Sequence, residues 1–129
     1  MVASFEGLIE QVPPATSALK VRGVPAYRRA ARGQIVTLPA RSVRVYWTRV
    51  HDYAWPALDF EVCCGRGTYV RSLIRDVGAG LGVGGCLTGL TRTAVGPFRI
   101  ENAWTIDRLR DAASADEFLI PIERGRDML

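Results

Sequence analysis

The segment LDFEVCCGRGTYVRSLIRDVGAGLGVGG, residues 58–85, changes its hydrophobic period part-way along, which fixes two elements and the junction between them. Leu58, Phe60, Val62 and Cys64 alternate with Asp59, Glu61 and Cys63, the pattern of a strand with one buried face. From Thr68 the apolar residues fall at helical spacing: Val70, Leu73, Ile74, Val77 and Leu81. The spacing predicts a helix with Thr68 as its N-cap, ended by the glycines from Gly78 to Gly85. Gly65 and Gly67 supply the turn. SVRVYWTRV, residues 42–50, is rich in β-branched and aromatic residues and predicts an antiparallel hairpin with 58–64, HDYAWP forming the connection.

The remaining segments are shorter. Pro13 and Pro14 keep the first twenty residues extended. VRGVPAYRRAARG predicts a short helix, with Pro25 at its first position and Gly33 just past its end. QIVTLP, residues 34–39, reads as a strand. Residues 86–100 fit either a helical turn with a strand or one longer strand. WTIDRL starts a last helix, with Thr105 as N-cap and Asp107 in a first turn that favours an anion. The expected architecture is α/β, in the α+β sense: an antiparallel-rich mixed sheet with two or three short helices. Residues 1–115 are expected to form one part-domain and residues 116–129 an irregular tail.

Charge is distributed unevenly. Residues 11–50 hold eight basic side chains and no acidic one, whereas residues 101–129 hold seven acids against four arginines. A basic half suits a chain that lays one end against phosphates, although a solvated basic face has the same composition. Metal binding is not expected. Cys63 and Cys64 are neighbours on a strand and point to opposite faces, no CxxC spacing occurs, and His51 is the one histidine. Three cysteines also argue against a disulfide scaffold and for free thiols in a reducing compartment. No apolar run is long enough for a membrane helix, and the N-terminus lacks the pattern of a signal peptide, so the cytoplasm is the expected location.

The junction GRGTYVR carries the residues most suited to chemistry. Glycines allow a tight turn, and a helix start offers free N–H groups to an anion. Arg71 falls in the first helical turn, against the positive end of the helix dipole, at a cost of roughly 0.3–1 kcal/mol unless a negative group offsets it. Many glycine turns between a strand and a helix bind nothing, and Tyr69 also suits a rim position.

Three ordered blocks narrow the reading. The first holds Gln11, Pro13, Pro14, Ser17, Ala18, Lys20, Gly23, Tyr27, Ala31, Arg32 and Gly33. The second holds Asp59, Phe60, Val62, Cys64, Gly67, Thr68, Tyr69 and Arg71. The third holds Leu90, Arg92, Thr93, Val95, Gly96 and Phe98. In order and spacing they resemble the bacterial tRNA pseudouridine synthases that modify the T-loop uridine, the TruB-type family, over roughly residues 5–110. The resemblance implies cleavage of the uridine glycosidic bond, rotation of the base and rejoining through carbon, without cofactor or metal. It places Tyr69 against the flipped uracil, Arg71 beside the catalytic aspartate, and Leu90 in the apolar wall of the pocket. Lys20, Arg66 and Arg92 would lie near the pocket or the RNA, and Arg28, Arg29 and Arg32 along the RNA backbone.

The family's aspartate lies in a G-x-L-D-P segment upstream of the first block, and no such segment occurs here. Nor does anything after residue 110 resemble the family's C-terminal RNA-binding appendage. The expectation is therefore a truncated or split form whose partners are tRNA and a separate polypeptide carrying the missing half, inactive by itself. A non-catalytic RNA-binding or chaperone-like module is the alternative.

Overall fold

The computed structural model describes residues 1–127, and the chain divides into two compact units, Met1–Thr88 and Gly89–Leu129. Among the described residues every strand pairing is antiparallel and four α-helices occur, in keeping with the expected α/β class.

The first unit begins with a turn of 3-10 helix, Val2–Phe5, and strand β1, Gly7–Gln11. A segment that turns and bends at residues 15–18, and so departs from the extended path expected, leads to the two-residue strands β2, Lys20–Val21, and β3, Val24–Pro25, which pair across Arg22 and Gly23. Helix α1, Ala26–Ala30, follows. Pro25 stands at its N-cap instead of the first helical position expected, and the free N–H groups of Ala26 and Tyr27 donate to Leu19 O (2.7 Å) and Ser17 O (3.0 Å). Gly33 lies past the helix at φ +72°, in the left-handed region that favours glycine.

Residues 34–39 form no strand, which corrects the reading of QIVTLP. A β-rich composition makes a strand only where a neighbour offers its ladder. Here Leu38 alone is buried and Ile35 is almost fully exposed.

Strand β4, Arg41–Ala54, and strand β5, Ala57–Cys64, form the hairpin. β4 runs four residues beyond the expected end, because Trp55 and Pro56 alone make the turn and Ala54 pairs with Ala57. The ladder pairs Asp52, Tyr53 and Ala54 with Asp59, Leu58 and Ala57, so HDYA continues the strand. Two register shifts, between Val45 and Trp47 and between Val50 and Asp52, bend the ladder. β1 pairs with Arg41–Val45 on the other side of β4, giving the order β1-β4-β5. Beyond the β1 ladder the Glu6 carboxylate accepts hydrogen bonds from the Thr48 N–H (2.7 Å) and hydroxyl (2.8 Å).

Helix α2, Val70–Gly80, starts one residue later than the sequence suggests. Thr68 does not cap it. Its hydroxyl and N–H both turn back to Gly65 O, at 2.9 and 3.4 Å, and close the Gly65–Gly67 turn. Tyr69 is the N-cap residue, in extended backbone. Leu73 and Val77 are buried as expected, whereas Leu81 lies past the last turn and is exposed. Leu73 and Val77 join Val43 and Val45 of β4, Ala26, Leu38 and the ring of Pro13 as buried apolar side chains of this unit.

In the second unit, residues 89–93 form no regular secondary structure and a small hairpin follows, of strands β6, Ala94–Val95, and β7, Phe98–Arg99. Helix α3, Ile106–Asp111, has the expected cap: Thr105 Oγ1 accepts from the Arg108 N–H at 3.2 Å. Trp104 meets Phe118 edge-on at 5.8 Å and carries the Arg108 guanidinium 4.1 Å above its ring. The stretch after 116 is more ordered than the sequence reading allowed. A capping box at Ser114 and Glu117 opens a 3-10 turn, and helix α4 spans Ile122–Asp127. Glu123 in its first turn and Arg124 and Arg126 in its last complement the dipole, a signal independent of any apolar stripe. No helix among the described residues is long and apolar enough to cross a membrane.

The loop after α2 folds back onto the helix, and Val83 and Gly84 both donate to Gly78 O, at 3.1 and 3.0 Å. A Cβ on Gly78 would fall on the backbone of Gly84 and Gly85. Gly78→Ala is therefore expected to destabilise the chain by roughly 1–3 kcal/mol in urea unfolding. Gly80→Ala, whose Cβ would meet only the mobile end of Met1 at 3.4 Å, is expected to be neutral or stabilising by about 0.5–1 kcal/mol.

Candidate RNA-modification site

The start of α2 is tied to the end of β1 and the segment after it by five hydrogen bonds. Gln11, the last residue of β1, is almost fully buried at 1% exposure, and its Oε1 accepts from the Tyr69 N–H at 2.7 Å. Val12 O accepts from the Ser72 hydroxyl (2.8 Å) and from Arg75 (3.1 Å). Thr16 receives both ends of the Arg71 guanidinium, Nη1 to Oγ1 at 2.7 Å and Nη2 to the carbonyl at 3.2 Å. One side of the helix thus grips residues 11–16, and the N-cap geometry of Tyr69 is set by a residue 58 positions away.

Arg71 has no carboxylate partner among the described residues. The ion pairs found there are His51–Glu61, Arg75–Asp76 and Arg110–Asp107. The cation in the first turn of α2 is offset instead by two neutral oxygens of Thr16. A guanidinium has five N–H donors, so three remain, enough for a carboxylate to bind in bidentate fashion. Tyr69, two residues before Arg71, is half-buried.

The other sequence-predicted residues fall into separate groups. Arg66 is exposed at the tip of the Gly65–Gly67 turn, and Lys20 is exposed on β2. Arg28 and Arg32 are exposed on and just after α1, Arg28 lying 5.9 Å from the ring centre of Tyr27. Arg29 differs from them: it is half-buried, and its Nε has no hydrogen-bond partner among the described residues. Leu90 and Arg92 belong to the second unit, exposed in the irregular stretch before β6. No cluster of histidine, cysteine or acidic residues with the makings of a metal site occurs among the described residues.

Sequence reasoning did not single out Gln11 or Thr16 for a part in this site. Gln11 stood in the first block without a role. Thr16 carried no signal, since its contact with Arg71 spans 55 residues.

The β5–α2 junction thus presents an aromatic and an arginine that meets no carboxylate among the described residues. Comparison with known proteins gives the family. The family model for the TruB family pseudouridylate synthase (N terminal domain) matches residues 1–70, and that for the tRNA pseudouridylate synthase B C-terminal domain matches residues 71–125. The chain belongs to the TruB family of pseudouridylate synthases. The second match reaches past residue 110, so that stretch, where the sequence reading found no family segment, lies inside a family domain. The join between the two matches falls within α2, between Val70 and Arg71.

The tRNA pseudouridine synthase B of Thermobifida fusca is 53% identical over 114 residues, covering 82% of this chain and 39% of the relative. That of Streptomyces coelicolor is 47% identical over 118 residues, covering 84% and 39%. That of Mycobacterium avium is 45% identical over 135 residues, covering 98% and 44%. The chain thus spans about two fifths of the length of these relatives. Among solved structures, a chain in the crystal structure of a Cbf5-Nop10-Gar1 complex superposes with a TM-score of 0.67 at 34% identity, covering 85% of this chain and 29% of that one.

The Gln11–Tyr69 bond is testable by itself. Gln11→Met keeps the bulk and removes the acceptor, and is expected to cost on the order of 1 kcal/mol in thermal unfolding. Hydrogen exchange at the Tyr69 amide should accelerate by about the same free energy. Unchanged protection at that amide would show that Gln11 does not hold it.

Proposed function

We propose that this chain forms part of a tRNA pseudouridine synthase that isomerises the T-loop uridine of tRNA, in the cytoplasm and without a cofactor. The observation that carries the reading is Arg71: in a TruB-family chain, two residues after Tyr69, a guanidinium is fixed through two of its donors and meets no carboxylate among the described residues. The carboxylate comes from the family's G-x-L-D-P segment, on a polypeptide either joined ahead of residue 1 or separate. Arg71 then orients it through the remaining donors, which a planar fork does with defined geometry.

The target base must leave its stack to be reached. Tyr69 lies against it, offering a flat face for stacking and a hydroxyl for proton traffic. The carboxylate acts at the sugar while the base detaches, turns and rejoins through carbon. The resemblance assigns Leu90 to the apolar wall and Lys20, Arg66 and Arg92 to the neighbourhood of the base or its flanking RNA. Residues 1–115 belong to the catalytic domain. Arg28, Arg29 and Arg32 contact the RNA backbone, an arrangement supported by the acid-free run from residue 11 to residue 50.

Activity is checked by tritium release from tRNA labelled at uracil carbon 5. The 129-residue chain alone is expected to release none. A mixture with a polypeptide carrying the G-x-L-D-P half is expected to release tritium, and Arg71→Ala should lower that turnover roughly a hundredfold or more, because the carboxylate loses its orientation. Steady release by the chain alone, abolished by changing Asp59 or Asp76, would place the catalytic carboxylate within this chain and overturn the reading.

RNA binding is checked separately by titration. Binding of a T-loop stem-loop should be weak and should fall steeply as salt rises. Replacing Arg28, Arg29 and Arg32 together with alanine should weaken it about equally for all sequences, since phosphate contacts carry no base information. Tight binding that ignores ionic strength would contradict the assignment of these arginines.

A further inference from the structure

We infer that Thr16 is a positioning residue for Arg71, and that it sets the direction in which the guanidinium presents its free donors to the incoming carboxylate; this rests on the reading of Arg71 just given. The observation is a two-point contact from one residue. Thr16 Oγ1 takes Nη1 at 2.7 Å, and Thr16 O takes Nη2 at 3.2 Å. One hydrogen bond leaves a guanidinium free to swing about the donor–acceptor line. Two bonds, from different terminal nitrogens to two oxygens of one residue, fix both its plane and its rotation.

Thr16 itself has a fixed base. The segment before it is held to α2 through Gln11 and Val12, and the residue after it, Ser17, accepts from the Tyr27 N–H. Position 16 is therefore anchored on both sides while its own side chain stays exposed. An exposed threonine contributes little to the core, so its hydroxyl can be removed without removing the fold. That separates positioning from structural support.

The first experiment uses the chain alone, with isotope-labelled arginine. Nuclear magnetic resonance reads rotation of the Arg71 guanidinium about its Cζ–N bonds. Restricted rotation is expected in the unsubstituted chain and in Thr16→Ser, which keeps a hydroxyl, and averaged signals are expected in Thr16→Val, which has the same shape without it. Signals already averaged in the unsubstituted chain would overturn the inference.

The second experiment uses the active mixture. Thr16→Val should lower kcat roughly tenfold to a hundredfold, with KM for tRNA and the melting temperature of the chain unchanged, and Thr16→Ser should restore kcat. Full turnover in Thr16→Val, in a mixture where Arg71→Ala is inactive, would overturn the positioning role and leave the reading of Arg71 intact. Full turnover in Arg71→Ala would overturn that reading, and the inference with it.

Discussion

The first unit depends on the hydrogen bonds between the start of α2 and residues 11–16. A helix start leaves N–H groups without partners, and a segment outside any ladder leaves carbonyls without partners. Here each supplies what the other lacks. Gln11 reaches the backbone at Tyr69, while Ser72 and Arg75 reach Val12 O from the helix. Both elements would otherwise carry unmet polar groups close to buried side chains such as Leu73. The same contacts set where Tyr69 and Arg71 stand, so the bonds that hold the segment also aim the candidate site.

The balance at Arg71 can be argued in magnitudes. A cation in the first turn costs roughly 0.3–1 kcal/mol against the dipole. A hydrogen bond to a charged group contributes roughly 1.5–3 kcal/mol when shielded. Arg71 is exposed and gains less, but two such bonds at even a fraction of that value offset the dipole. The arginine is thus stable where it stands without a carboxylate, and a site of this kind can be assembled before its last charged member is in place.

What the sequence disclosed follows from the range of the interactions. The period change at residues 64–68, the Thr105 cap and the hairpin of β4 with β5 are local, and all were legible. Local rules failed where the outcome depended on a distant partner. QIVTLP has the composition of a strand, but no strand lies alongside it. Thr68 has the chemistry of an N-cap, but the Gly65 carbonyl is closer to hand and takes its hydroxyl. The part played by Thr16 could not be read at all, because nothing in the chemistry of a threonine indicates an arginine 55 residues on. The ordered blocks gave the family, which the local rules could not, but left the contacts of Gln11 and Thr16 unread.

The pairing pattern of β4 also orders events in time. Its ladder with β5 closes across Trp55 and Pro56 alone, whereas its ladder with β1 must bring Gly7 to Val45. Loop-closure entropy grows with the length of chain enclosed, so the short closure precedes the long one. The bond between Gln11 and Tyr69 requires both, because β1 must be docked before its last residue can meet the helix. On this route the hairpin forms as an early scaffold and β1 joins it. By the same entropy, residues 12–16 are expected to settle against α2 after that, which would make the surface that presents Tyr69 and Arg71 a late part of the unit to mature.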